Sequence, residues 1–238
     1  MSRETRNADP EQVIRFNGLA SRWWDPDGEM RLLHRMNPLR VGFIRDRVDL
    51  ANARCLDVGC GAGILCEALA REGAEVTGID LAEESLTVAR LHQEESCLRR
   101  LLYRAATAED LASEEPGRYD VVTCLEMLEH VPDPASAVGA CASLVRPGGR
   151  VFFSTINRSP KAFALAIVGA EYLLGLLPRG THDFQRFIRP SELDRWARQS
   201  GLSLVDLAGL AFDPGTQDFR LERDPGVNYI AHFRRAGA

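Results

Sequence analysis

Asp57-Val58-Gly59-Cys60-Gly61-Ala62-Gly63 decides the fold of this chain. The short apolar lead Cys55-Leu56 precedes it, and Val76-Thr77-Gly78-Ile79-Asp80 answers it. Strand, glycine turn, helix, second strand and terminal acid together predict one nucleotide-binding βαβ unit. The glycine spacing departs from the dinucleotide pattern G-x-G-x-x-G, because Ile64 stands where the third glycine would fall. Asp57 lies just ahead of the turn, where a carboxylate repels a pyrophosphate at close range. The same carboxylate suits a cofactor with no phosphates and a cationic amine. S-adenosylmethionine meets both conditions, with its ammonium near Asp57 and its ribose hydroxyls on Asp80.

Outward from that stretch, alternating patterns extend the unit. Residues 101–105, 120–124 and 151–155 read as three further strands. The last two are announced by the Gly117 turn and by Pro147-Gly148-Gly149. Helices are predicted after the glycine turn (Ile64, Leu65, Ala68, Leu69, closed by Gly73), around Leu86 and Ala89, and from Asp133-Pro134 to about Val145. Ser191-x-x-Asp194 resembles a capping box for a late helix. Residues 202–207 and 227–233 read as an antiparallel pair at the sheet edge. Seven strands alternating with helices predict a doubly wound α/β sheet, mostly parallel with an antiparallel edge. At the front, Asp9-Pro10 with Gln12 marks a helix start, and Val13, Phe16, Ala20 and Trp23 recur at helical spacing. Trp23-Trp24-Asp25-Pro26 breaks that arm, residues 34–40 follow, and 41–48 read as a separate helix feeding the first strand.

The 238 residues suit a single domain, with residues 1–50 as an N-terminal helical arm and 156–190 as an inserted segment. A hydrophobic share of 45% and a charged share of 26% fit an ordinary soluble protein. A net charge of -5 gives no general reason to expect nucleic-acid binding. The six cysteines form no C-x-x-C pair and no secretory leader is visible, so reduced thiols in the cytoplasm are expected. The longest apolar run, 162–177, is interrupted by Glu171 and falls short of the roughly 20 residues a span requires. It reads either as a buried helix or as an interfacial one, with Arg158, Lys161, Arg179 and Arg186 towards anionic headgroups.

Ligands of open α/β sheets sit beyond the carboxyl ends of the strands. Gly59, Gly61, Asp80, residues 107–110, residues 125–130 and Asn157 are therefore expected to converge on one crevice. Within it, Glu126-Met127-Leu128-Glu129-His130 is the dense constellation. On a helix, Glu126, Glu129 and His130 would share one face. They could hold a divalent metal, or His130 alone could act as general base. The blander reading has the glutamates capping backbone amides and His130 packing under the substrate. Arg40, just before the first strand, either reaches a cofactor carboxylate as a bidentate partner or forms an ordinary ion pair. His34 and His182 read as surface or packing residues.

The residues from Asp57 to Gly63, Asp80, the segment from Glu126 to Pro134 and Arg146-Pro147-Gly148-Gly149 resemble class I S-adenosylmethionine-dependent methyltransferases, which implies their Rossmann-like seven-stranded sheet. Four narrower segments are similar to the ubiquinone-biosynthesis O-methyltransferase family. They are Ala20-Ser21-Arg22-Trp23-Trp24-Asp25, Leu33-His34-Arg35-Met36-Asn37-Pro38-Leu39-Arg40, Val168-Gly169-Ala170-Glu171-Tyr172 and Gly180-Thr181-His182-Asp183. The resemblance covers nearly the whole chain. It implies methylation of phenolic hydroxyls on polyprenylated catechol or quinol intermediates, giving S-adenosylhomocysteine. Carried over by position, it puts cofactor contacts on Arg40, Gly59, Asp80 and Leu125. It also implies metal ligation (Mg or another divalent ion) by Glu126, Glu129 and His130, with catalysis by the same three residues. Peripheral contact with the inner membrane through 156–190, and association with other enzymes of the pathway, are further implications. Ala62 and Leu125 depart from the bacterial pattern, and Thr107 replaces the acid many methyltransferases use towards adenine.

A phenol ionises with a pKa of about 10, so a base or a metal has to take or polarise its proton. The remaining task is alignment of an oxygen behind the sulfonium methyl. Three rival readings stay in view. A methyltransferase with another small acceptor shares the cofactor motifs. A nicotinamide dehydrogenase conflicts with the glycine spacing and Asp57. A non-catalytic nucleotide-binding module leaves Glu126, Glu129 and His130 without a task.

Overall fold

Apolar side chains flank Asp57 on both sides, and Cys55, Leu56 and Val58 are all buried, which places their strand in the middle of a sheet. A computed structural model describes residues 7–165 and 183–237. Strand β1 (Arg54–Val58) pairs in parallel with β2 (Glu75–Asp80) on one side and β4 (Tyr119–Leu125) on the other. Strand β3 (Leu101–Ala105) continues outward from β2, and β5 (Val145–Ile156) from β4, both in parallel. Beyond β5 lie β8 (Asn228–Arg235), β6 (Leu202–Asp213) and β7 (Asp218–Glu222), in that order. Strand β8 is antiparallel to both of its neighbours, so β6 runs in the same sense as β5.

The sheet thus has eight strands where seven were expected, and its edge is β7, not the pair of late strands. The eighth was hidden by its composition. Asp218-Phe219-Arg220-Leu221-Glu222 carries two apolar residues among three charged ones, a pattern suited to a short edge strand that resists pairing with other chains. Strand β6 is also longer than predicted. It runs on to Asp213 and turns into β7 through Pro214-Gly215-Thr216-Gln217, where Gln217 takes a φ of 61°.

Helices α2 (Arg31–Arg45), α3 (Ile64–Arg71) and α4 (Glu83–Glu95) cover one face of the sheet. Their apolar side chains meet Cys55, Val76, Val121, Phe152 and Ile230. Helices α5 (Ala108–Glu114), α6 (Pro134–Leu144) and α8 (Pro190–Gln199) cover the other, against Leu56, Val122, Phe153 and Phe233. Helix α2 runs unbroken through Pro38, where the sequence suggested a break between residues 40 and 41. Proline inside a helix costs about 3 kcal/mol. Burial of Met36, Val41, Phe43 and Ile44 along the same helix offsets that cost. Helix α8 is boxed two residues earlier than predicted, with the Glu192 carboxylate accepting from the Arg189 N–H at 3.0 Å.

The arm is helix α1 (Pro10–Leu19), capped by the Asp9 carboxylate as predicted. It is followed by a 3-10 turn, Ala20–Arg22, where the helix was expected to run on to Trp23. A short helical turn, α7 (Pro160–Ala162), is capped by Ser159.

Gly63 at the head of α3 has a φ of 87°, and a Cβ there would lie 2.0 Å from the Tyr103 hydroxyl oxygen. Backbone strain and overpacking both follow from a side chain at this point. Gly63→Ala is expected to cost about 3 kcal/mol, which lowers Tm by roughly 6–12 °C in a chain of this size. Differential scanning calorimetry measures it.

Candidate cofactor and acceptor cavity

The carboxyl ends of β1, β2, β4 and β5 open into one cavity of about 630 Å³. Gly59, Gly61, Asp80, Thr107, Leu125 and His130 line it, so the predicted convergence holds for these positions. Asn157 does not join them; its side chain donates to the Pro225 carbonyl at 2.9 Å. Two walls were not foreseen. Gln12, Phe16 and Trp23 close the cavity from the arm, and Phe212 and Phe219 close it from the β6–β7 hairpin. The two phenylalanines pack with centroids 5.1 Å apart.

On the cofactor side, Gly59 and Gly61 take φ values of 72° and 52°. A Cβ on Gly59 would lie 2.4 Å from Met127, and one on Gly61 would lie 2.3 Å from the Trp23 indole. Both positions therefore require glycine. Asp80 ties the turn to the end of β2: one carboxylate oxygen accepts from the Gly61 N–H at 2.8 Å and the other from the Ala82 N–H at 2.9 Å. Each oxygen retains a further lone pair for a hydroxyl. Thr107 also lines the cavity. Its hydroxyl caps α5 by accepting from the Asp110 N–H at 3.0 Å.

Arg40 is buried, which removes the surface ion-pair reading. Its Nη2 lies 3.0 Å from Glu126 Oε1, and its Nε has no acceptor among the described residues. A carboxylate-bearing ligand in this cavity would meet an unsatisfied guanidinium donor. Asp57 is also buried; it accepts from the Thr123 hydroxyl at 2.7 Å and the Cys66 thiol at 3.3 Å. Burial pushes its carboxyl up to about 6, against the pull of those two donors.

A pH dependence follows from Asp57. Below about pH 6 the folded protein holds the carboxyl neutral, while the unfolded chain keeps it ionised down to about 4. In the free protein, acidification through that window therefore adds stability from this group. Affinity for a cationic ligand changes in the opposite direction. S-adenosylmethionine binding is expected to weaken by up to about tenfold per pH unit below pH 6. Calorimetric titration between pH 5 and 8 measures it, and a flat profile would remove Asp57 from the cofactor contacts.

The Glu126–His130 segment does not form the helix on which a shared face would depend. Glu126 directly follows β4 with a φ of 55°, and Leu128–His130 forms a 3-10 turn, so the three side chains do not share a helical face. A non-glycine residue in this conformation persists only when its surroundings hold it. Here Ser154 Oγ donates to Glu126 at 2.6 Å and Asn228 Nδ2 at 3.1 Å, beside the Arg40 guanidinium. Glu129 accepts from the Thr155 hydroxyl at 2.8 Å; burial, and then the Glu126 carboxylate, push its carboxyl well above the ordinary range. His130 Nδ1 meets Gln12 Oε1 at 3.0 Å, and Phe16 stands edge-on to the ring at 5.1 Å. An amide oxygen only accepts, so Nδ1 carries the proton and the basic lone pair belongs to Nε2. Among the described residues, no three His, Cys, Asp or Glu side chains converge on one ion position. The metal set expected from Glu126, Glu129 and His130 does not fit one ion as arranged, because each side chain is committed to a different partner.

His34 is a packing residue, with Nε2 2.9 Å from the Trp23 carbonyl. His182, the segments 168–172 and 180–182, and the part of the 162–177 run beyond residue 165 lie outside the described residues.

Residues 27–207 match a family described as a methyltransferase domain. A ubiquinone biosynthesis O-methyltransferase from Azotobacter vinelandii is 60% identical over 224 residues, 94% of this chain and 96% of that one. The proteins of that name from Stutzerimonas stutzeri and Pseudomonas aeruginosa are 58% and 56% identical, over 94% and 96% of this chain and 96% and 98% of theirs. This chain belongs to the ubiquinone biosynthesis O-methyltransferase family. Among solved structures, magnesium protoporphyrin IX methyltransferase from Synechocystis PCC 6803 with bound SAH superposes with a TM-score of 0.68. It is 20% identical, over 94% of this chain and all of that one, a likeness that concerns the fold alone. In this methyltransferase, sequence reasoning had missed Gln12, Thr155, Ser154 and Asn228. Gln12 read only as part of a helix start and the other three belong to no motif, because each acts by touching a side chain distant in sequence.

Proposed function

We propose that this S-adenosylmethionine-dependent methyltransferase methylates a phenolic hydroxyl of a polyprenylated catechol or quinol. One observation carries the reading: the glycine turn with Asp80, and His130 with its tautomer set by Gln12, line the same cavity. When bound, S-adenosylmethionine supplies a methyl group already activated on a sulfonium. Arg40, Asp57, Gly59, Gly61, Asp80 and Leu125 would hold the cofactor, Asp80 accepting from the ribose hydroxyls and Arg40 donating to the carboxylate. The residues beyond them manage one proton. The phenol hydroxyl is neutral at pH 7, and the Glu129 carboxyl, pushed up by burial and then by Glu126, is engaged by the Thr155 hydroxyl. His130 Nε2 takes the phenol proton, and the Gln12 bond to Nδ1 stabilises the imidazolium that forms. Glu126, fixed by Arg40, Ser154 and Asn228, lines the same cavity, its charge balanced by the Arg40 guanidinium. Phe212, Phe219 and Met127 offer an apolar wall for the acceptor ring and its tail.

The test is transfer of labelled methyl from S-adenosylmethionine to a short-chain prenylated catechol, with divalent metal and after exhaustive chelation. Product in both conditions supports His130 as base. Product only with metal would return Glu126, Glu129 and His130 to the ligand reading. No product on any prenylated catechol, with transfer to another small phenol, would overturn the acceptor class.

The tail of such a substrate resides in a membrane, and the protein has to reach it. No helix among the described residues is long and apolar enough to cross one. Phe163 and Leu165 are exposed side chains beside Lys161, an apolar step with a basic neighbour. Sedimentation with anionic vesicles is expected, and Phe163→Ser with Leu165→Ser is expected to release about half or more of the bound protein.

A further inference from the structure

A second cluster lies behind the glycine turn and takes no part in the chemistry above. The carboxylate of Glu67 on α3 is fully enclosed. Arg71 reaches it at 2.7 Å, Ser96 Oγ at 3.2 Å, and His92 Nδ1 from α4 at 2.6 Å. A carboxylate only accepts, so the His92 proton sits on Nδ1 and the ring plane is fixed. Trp24 lies flat on that ring, with centroids 3.5 Å apart and planes 5° from parallel. The Trp24 indole N–H donates to the Ala62 carbonyl at 2.9 Å, inside the glycine turn. His34 adds an edge contact to the Trp24 ring at 5.8 Å and meets the Trp23 carbonyl at 2.9 Å. The neighbouring Trp23 is then pressed against Gly61, where no Cβ could be inserted.

We propose that His92, seated on Glu67, is a positioning residue for the cofactor: through Trp24 it holds the tryptophan arm against the glycine turn. Trp24 is the coupling element because it has two anchors, one ring face on His92 and one donor on Ala62. Trp23 and Phe16 line the cavity from the arm, so loosening Trp24 frees the wall that encloses the cofactor. Neither His92 nor Glu67 lines the cavity, and both act through the arm. The inference rests on the assignment of Gly59, Gly61 and Asp80 to the cofactor.

The experiment measures S-adenosylmethionine Kd, KM and kcat, with Tm alongside, for His92→Ala, His92→Phe, Trp24→Phe and Asp80→Ala. In His92→Ala, Kd and KM are expected to rise about tenfold, the size of one lost aromatic stack, with kcat at saturating cofactor held within about twofold. His92→Phe keeps a ring under Trp24 and is expected to recover most of that affinity. Trp24→Phe keeps the stack, loses the donor to Ala62, and is expected to raise Kd about fivefold. A lowered Tm with unchanged Kd in His92→Ala would show packing only and overturn the proposal, as would equal losses in His92→Ala and His92→Phe. Should His92→Ala not fold, Trp24→Phe decides: unchanged Kd overturns the coupling. Asp80→Ala separates the two levels. If it too binds normally, the cofactor assignment fails; if it alone weakens binding, only the role of His92 fails.

Discussion

His130→Ala is expected to lower kcat by about 10²–10⁴-fold at neutral pH, the range attributed to a positioned proton acceptor. Affinity for S-adenosylmethionine is expected to stay within about twofold, because the proposed role of the ring is towards the acceptor and not the cofactor. The loss has a pH signature. With the base removed, only acceptor that has already ionised reacts, so the rate should climb about tenfold per pH unit towards the phenol pKa of about 10. The residual activity of the variant then converges on that of the wild type at high pH. Stopped assays from pH 6 to 10 measure both slopes. A variant with wild-type turnover at pH 7 would remove His130 from the chemistry as base and as metal ligand together. Gln12→Ala provides a graded companion. It keeps the imidazole and removes the acceptor that fixes its tautomer, so its loss should be smaller than that of His130→Ala.

Asp80→Ala has the second large expected effect, and it falls on binding. The carboxylate holds two backbone N–H groups, of Gly61 and Ala82, and the substitution leaves both without their acceptor. Hydrogen bonds to a charged group contribute about 1.5–3 kcal/mol each. Losing the proposed ribose contact and slackening the turn together are expected to raise the cofactor Kd by about 10²-fold or more. The kcat at saturating cofactor should change far less, since Asp80 does not touch the acceptor. Asp80→Asn retains an acceptor oxygen and is expected to fall between the two. Isothermal titration with S-adenosylhomocysteine measures the series free of turnover.

The parallel half of the sheet was legible because its information is local. Each buried strand is a short apolar run, and each turn carries a glycine or proline that only a few backbone conformations tolerate. The convergence of Gly59, Gly61 and Asp80 on one cavity was legible for the same reason, since they belong to one continuous βαβ unit. The antiparallel end was read less well. Strand β7 lies at an edge, with charged residues that obscure its alternation, and its existence depends on pairing with residues 209–213. The Glu126 segment misled because its i, i+3, i+4 spacing is that of a helix. A buried arginine and a serine on β5 instead hold Glu126 at the strand end. Helix α2 shows the converse, where a proline that reads as a break is carried through by the apolar residues around it.

The position of β8 has a consequence for how the chain is made. This late strand does not cap the sheet; it is threaded between β5 and β6, with Tyr229, Ile230 and Phe233 in the interior. Until residues 228–235 have left the ribosome, β5 and β6 each present an open edge. Pairings between segments about 80 residues apart in sequence then close last, and such non-local contacts form slowly. The nascent chain therefore passes through a partly built sheet with strand edges available to other chains, the stage at which chaperones are most needed.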